Sequence, residues 1–220
     1  MKPTHITNPM PLPGDSPAAD RNKQPILDVL CHILPTHGRA LEIASGTGQH
    51  MAWFAAHMPQ WTWQPTDAQP QALEAITTRL AAQPLANVCA PLMLDVLAPQ
   101  WLAGDETADQ KTFGLKLFDL IYCANMLHIS PWETCAALMH GSARYLAPSG
   151  RLVTYGPYLE DDVITSDGNL AFDHSLRARN TGWGIRRRED VETTAVVAGL
   201  RLVQRHALPA NNLLLVWCRQ

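Results

Sequence analysis

The run Leu41-Glu42-Ile43-Ala44-Ser45-Gly46-Thr47-Gly48 carries an apolar segment into two closely spaced glycines. Arg39 to Ala44 reads as a short strand with a single carboxylate, Glu42, near its end. After the glycines, Met51, Phe54, Ala55 and Met58 recur at helical spacing. Trp61 to Pro65 then alternates apolar and polar residues as a second strand, and Asp67 stands just beyond it. Strand, glycine turn, helix, strand and carboxylate together make half of a doubly wound nucleotide-binding fold.

The residue types narrow the ligand. Gly46 and Gly48 let the backbone turn tightly and approach a ligand with no Cβ in the way. A carboxylate at the tip of the second strand can accept both ribose hydroxyls of an adenosine. The pattern is Glu-x-x-x-Gly-x-Gly, and His50 and Met51 stand where a dinucleotide fingerprint would carry its third glycine. No Lys-Ser/Thr pair follows, so the turn is not a phosphate loop. A glycine turn without phosphate-binding equipment suits an adenosine that carries no phosphates, and S-adenosylmethionine is the candidate.

Length and charge set outer bounds. At 220 residues the chain is long enough for one domain with a substantial core. A net charge of −3 gives no electrostatic footprint for nucleic acid, and Arg186-Arg187-Arg188 is a weak patch, read as a solvated turn before a helix. The five cysteines are scattered without a Cys-x-x-Cys pair, which suits reduced thiols in a cytoplasm, with Cys123 and Cys218 in apolar core strands. The nine histidines are not paired at ligand spacing, His32 and His37 read as surface or core residues, and no metal is expected. No apolar run is long enough to span a membrane.

Met1 to Asp20 holds five prolines and reads as an irregular arm, leaving 21–220 as the folded domain. A helix opens at Arg21-Asn22-Lys23-Gln24-Pro25, with Ile26, Val29, Leu30 and Ile33 on its buried face. Further helices are expected from Gln69 to Leu80, from Ser130-Pro131 onward and from Glu189 to Ala198. Strands are expected at Pro91 to Leu94, Phe118 to Ala124 and Arg151 to Tyr155, and Leu200 to Arg205 with Leu213 to Cys218 form a closing hairpin. Ala98 to Lys116 reads as a polar connection. Residues 157–185 form a long insertion with three aromatics and several ion-pairing groups, read as an ordered lid.

Position along this plan suggests roles. Ligands in such sheets sit at the carboxyl ends of the strands, which places Asp95, with Val96 after it, to meet an adenine amino group. Asp95 capping the next turn is the plainer alternative. His128, just past the fourth strand, is the best general base if the acceptor arrives protonated, and otherwise a structural histidine of the Ser130-Pro131 turn. Tyr158 could orient an acceptor or pack the lid. Asp173, Arg177 and Arg179 could face the acceptor or form only a lid ion-pair cluster.

The chain resembles the methyltransferase-like protein 26 family, a domain-of-unknown-function family of class I S-adenosylmethionine-dependent methyltransferases. The resemblance runs from about Asp15 to Gln220. Its landmarks are Arg21-Asn22-Lys23-x-Pro25-Ile26-Leu27, Leu41 to His50, Trp63-Gln64-Pro65-Thr66-Asp67, Leu94-Asp95-Val96 and Asn125 to Pro131. Thr154 to Tyr158, Phe172-Asp173, Arg179-Asn180 with Trp183-Gly184, and Pro209 to Asn212 complete it. It implies an α/β, Rossmann-like, doubly wound seven-stranded sheet, mostly parallel, with a C-terminal antiparallel hairpin. It also implies cofactor contacts from Glu42, Gly46, Thr47, Gly48, Asp67, Asp95, Val96 and Asn125. Arg21, Asn22, Tyr158, Asp173, Arg179 and Trp183 would face the acceptor.

The expected activity is therefore methyl transfer from S-adenosylmethionine, leaving S-adenosylhomocysteine, to a small-molecule thiol, hydroxyl or amine. The Asn-Pro-Pro-Tyr sequence used on planar amines is absent, and Asn125-Met126-Leu127-His128 stands in its place. A catalytically quiet S-adenosylmethionine-binding protein acting through partners is the second class. A nucleotide-dependent oxidoreductase is the third, disfavoured because this turn is poorly built to hold a pyrophosphate.

Overall fold

Strands with apolar residues on both faces need helices on both sides, and the chain supplies them in alternation. The computed structural model describes residues 14–102 and 117–220. Its helices are α1 (Pro17–Ile33), α2 (Gln49–His57), α3 (Pro70–Ala82), α4 (Glu133–Tyr145), α5 (Asp167–Arg179) and α6 (Arg188–Val197). Its strands are β1 (Gly38–Ile43), β2 (Trp61–Asp67), β3 (Leu92–Met93), β4 (Phe118–Ala124), β5 (Leu146–Leu159), β6 (Arg186–Arg187), β7 (Leu200–Leu208) and β8 (Asn212–Arg219).

The sheet order is β3-β2-β1-β4-β5-β8-β7, and β6 adds a short parallel pairing to the end of β5. Strands β1 to β5 run parallel; β8 lies antiparallel between β5 and β7. This is the expected doubly wound sheet with a C-terminal hairpin. The chain reverses direction of travel between β1 and β4, which opens a crevice at their carboxyl ends.

One core layer packs Ile26 and Leu30 of α1, Met51 and Phe54 of α2 and Ile76 of α3 against Trp61, Trp63 and Leu120. The other packs Cys135, Leu138 and Met139 of α4 and Val191 and Ala195 of α6 against Ile43, Leu152 and Trp217. Cys123 and Cys218 are buried, as read from their strands, while His32 and His37 are exposed.

Several boundaries differ from the sequence reading. Helix α1 starts at Pro17, inside the stretch expected to be irregular, because Ser16 serves as N-cap and proline suits the first helical turn. The rest of that arm, Met1 to Pro13, lies outside the described residues. Helix α4 starts at Glu133 because Leu127–Ile129 forms a 3-10 turn first, and the Ser130 hydroxyl donates back to the Met126 carbonyl. Pro148-Ser149-Gly150 does not end a turn before β5. It sits within β5, where the pairing with β4 shifts register.

The polar connection after β3 is described only at its start. Trp101 stacks on Tyr145 with ring centroids 5.6 Å apart and donates to the Val96 carbonyl. Residues 103–116 of that connection lie outside the described residues.

Candidate active site

The glycine turn is a left-handed backbone stitched to its neighbours. Ala44, Gly46 and Gly48 have φ of 55°, 56° and 71°. The Ser45 N–H donates to the Thr66 carbonyl, and the Thr66 hydroxyl donates to the Glu42 carbonyl at 2.6 Å, locking β1 to β2 below the turn. The Gly46 N–H donates to Asp67 Oδ2 at 2.9 Å, and the Gln69 N–H donates to Oδ1 at 2.9 Å. Each carboxylate oxygen accepts once, so each keeps a lone pair for a further donor.

The two glycines face different surroundings. A Cβ built on Gly46 meets nothing within 4 Å, whereas one on Gly48 would lie 3.1 Å from Met51 Cε and 3.2 Å from Ile76 Cγ1. Gly46 thus presents bare backbone beside the Asp67 carboxylate. The Thr47 carbonyl accepts from Arg79 Nε at 2.7 Å, and the same guanidinium pairs with Asp15. Gln49 accepts from the Ser16 N–H and donates to its carbonyl. The segment 14–16 is therefore strapped along the glycine turn.

Asp95 follows β3, and its Oδ1 accepts from the Leu97 N–H at 2.9 Å. It caps that turn with one oxygen, and its side chain is exposed at the same rim as Asp67; Val96 beside it is buried.

Beneath the turn lies a polar group that sequence reasoning only partly found. Glu42 is 3% exposed, and its Oε2 has no hydrogen-bond partner. His50 Nε2 meets Asn22 Oδ1 at 2.6 Å, and His50 Nδ1 meets the Tyr122 hydroxyl at 3.1 Å. Since the Asn22 oxygen only accepts, His50 must donate from Nε2 and accept the Tyr122 proton at Nδ1. Burial pushes the His50 pKa down to about 4, so the ring is neutral. The Tyr155 hydroxyl is buried beside Asn22 and Asn212. Asn22 was expected at the site; His50, Tyr122 and Tyr155 were not. Their signal was a polar residue on the buried face of α2, four residues before Phe54.

A second cluster, beyond the end of β4, gathers around Asn125 and His128. Asn125 follows directly on β4 with φ 61° and donates its N–H to the Tyr155 carbonyl. A Cβ built on Gly156 would come within 3.3 Å of His128 Nδ1 and 3.5 Å of Asn125 Oδ1, so these three positions converge. Burial, with Arg186 nearby, holds the His128 pKa down to about 4. Phe172 of α5 packs edge-on against the His128 ring at 5.6 Å. Arg186 donates to the carbonyls of Leu127, Ser130 and Gly182, and the Gly184 N–H donates to the His128 carbonyl. Arg186, read from sequence as part of a solvated turn, instead binds the His128 turn to the chain leaving α5.

Other expected acceptor residues are placed differently. Tyr158 does not join His128: its hydroxyl donates to Thr154 Oγ1 at 2.9 Å in the core beside Trp217. Strand β5 runs on to Leu159, so Tyr158 shares the buried face of Thr154. Asp173 accepts from Arg177 and from the Ile185 N–H, which makes it a brace within the insertion. Arg179 lies over the half-buried Trp183 ring at 5.6 Å, and Arg21 is exposed on α1.

Sheet order, glycine turn and the acid at the tip of β2 define a class I methyltransferase-like fold. The chain belongs to the family described as Protein of unknown function (DUF938), which it matches over residues 14–219. Among solved structures it is similar to an O-methyltransferase family protein from Burkholderia thailandensis (19% identity, TM-score 0.72), covering 92% of this chain and 57% of that one. It is also similar to CalO1, a methyltransferase in calicheamicin biosynthesis in its SAH-bound form (15% identity, TM-score 0.69; 92% and 55% covered). A third is an O-methyltransferase family 2 protein from Planctomyces limnophilus in complex with apigenin (16% identity, TM-score 0.72; 92% and 60% covered). The chain spans just over half the length of these structures. Among the described residues no helix is long and apolar enough to cross a membrane.

Proposed function

We propose that this chain is an S-adenosylmethionine-dependent methyltransferase acting on a small-molecule thiol, hydroxyl or amine. The observation that carries the reading is the cup formed by Gly46 and Asp67. Bare backbone faces open space there, beside a carboxylate that retains an acceptor lone pair on each oxygen. Asp67 would take the ribose hydroxyls, Glu42 and the turn 46–48 the amino-acid end, and Asp95, Val96 and Asn125 the adenine and its edge. The likeness to an SAH-bound methyltransferase supports the choice of ligand.

The cofactor would supply an electrophilic methyl group on sulfur, so the protein's work is positioning and exclusion of water. His128 would align the acceptor, with Phe172 of α5 covering it. His128 is neutral at pH 7, and burial makes its imidazolium costly. That favours acceptors with an available lone pair, such as amines or thiolates, over alcohols that must first lose a proton. Calorimetry tests the reading: S-adenosylmethionine and S-adenosylhomocysteine should bind without added metal. Binding of a nicotinamide dinucleotide with no response to either ligand would overturn it.

A further inference from the structure

Glu42 sits where β1 is flanked by Pro65 of β2 and Tyr122 of β4, with its Oε2 buried and unpartnered. Its neighbours offer little to stabilise a negative charge. Asp67 on β2 is a second carboxylate, and Tyr122 and Cys123 on β4 carry no positive charge to offer, a Glu42 charge opposing their own ionisation. On α2, His50 is uncharged and spends both ring nitrogens on Asn22 and Tyr122. On α1, Lys23 pairs with Asp20 and covers the Trp53 ring at 4.3 Å. Tyr155 on β5 brings a hydroxyl, not a cation. The Ser45 hydroxyl is the one group among the described residues that favours the ionised form. Among the described residues no cation pairs with Glu42.

A buried carboxylate with an empty acceptor oxygen and a like charge nearby keeps its proton. Burial, reinforced by Asp67, pushes the Glu42 pKa up to about 8. The proposed cofactor brings the missing cations: its methionine portion carries an α-ammonium and a sulfonium alongside its own carboxylate, and either cation beside Glu42 would favour the ionised form.

Resting on the cofactor reading above, we propose that Glu42 is protonated in the free protein and releases its proton to solvent when S-adenosylmethionine binds. The carboxylate so formed becomes the counter-ion of the bound cation. Charge then enters at Glu42 mainly as a matched pair, and at neutral pH most of the empty protein holds no charge on this buried carboxyl.

The measurement is titration calorimetry of the full chain with S-adenosylmethionine in buffers of different ionisation enthalpy. At pH 7 about 0.9 proton should leave per ligand bound, the protonated fraction expected for a pKa near 8. The dissociation constant should fall nearly tenfold per pH unit between pH 6 and 7.5. Glu42→Gln should bind with almost no buffer-dependent heat and a flat pH profile. Should that variant fail to fold, the wild-type proton count and slope decide alone. Tight binding with no proton release, or the same release from a folded Glu42→Gln protein, overturns the inference and leaves the cofactor reading intact. No binding of S-adenosylmethionine or S-adenosylhomocysteine overturns both.

Discussion

The Gly46 N–H donates to Asp67 Oδ2 across 2.9 Å, so the turn after β1 and the tip of β2 are held as one unit. The carboxylate is therefore structural before it is anything else. Asp67→Ala removes two main-chain bonds along with the proposed ribose anchor. A bond to a charged group contributes about 1.5–3 kcal/mol, so cofactor binding should weaken about 10- to 150-fold. Unlike a residue that only meets ligand, this one should also lower the ligand-free Tm, by roughly 3–12 °C. Calorimetry and a thermal melt check the two effects separately.

Gly46 and Gly48 should fail in different ways. Alanine at either forces a side chain into left-handed backbone, at about 1–2 kcal/mol. At Gly48 the new methyl is also crowded by Met51 and Ile76, so Gly48→Ala should have the lower Tm. At Gly46 it enters open space where the ligand is proposed, so Gly46→Ala should lose more affinity than stability. Equal ratios of affinity loss to Tm loss would contradict the assignment.

The fold was legible because a glycine turn between an apolar strand and an amphipathic helix has few other meanings, and Asp67 follows at the right remove. The acceptor side was harder. Tyr158 was read past the end of a strand that in fact continues to Leu159, and four further residues along a strand return to the same face. Arg186 lay in a basic run that looks solvated, and only the tertiary fold reveals the carbonyls converging on it. Hydrogen bonds between distant segments leave no local period in a sequence, and the His50–Asn22 bond is of that kind.

Stability should vary with pH in two opposed ways. The folded pKa values of His50 and His128 lie near 4, below the ordinary 6.5, so the unfolded chain binds protons first as pH falls. Their contribution is complete above about pH 6.5 and is lost between there and pH 4. The folded pKa of Glu42 lies near 8, above the ordinary 4.5, so its contribution is complete below pH 4.5 and is lost as pH rises to 8. Ligand-free Tm should peak in mildly acidic buffer. Glu42→Gln should remove the alkaline decline and leave the acid limb, as a pH series of melts would show.

Arg186→Ala should loosen one region without touching the other. The guanidinium holds the carbonyls of Leu127, Ser130 and Gly182 together. Its loss should speed amide exchange across 126–130 and 182–185, while S-adenosylhomocysteine affinity stays within about threefold, under 1 kcal/mol. A large fall in that affinity would show that the His128 turn supports the cofactor half directly.

Helix α5 has a single buried residue, Leu176, and leaves Leu170, and the part of Phe172 turned away from His128, exposed. Few of its side chains are answerable to the core, whereas nearly every residue of the glycine turn is bound to a neighbouring strand or helix. Substitutions can therefore accumulate along the outer surface of α5 at little cost to folding. If the chain acts as proposed and acceptor choice is written there, the family would have the means to change its acceptor while inheriting the glycine-turn half of the molecule unchanged.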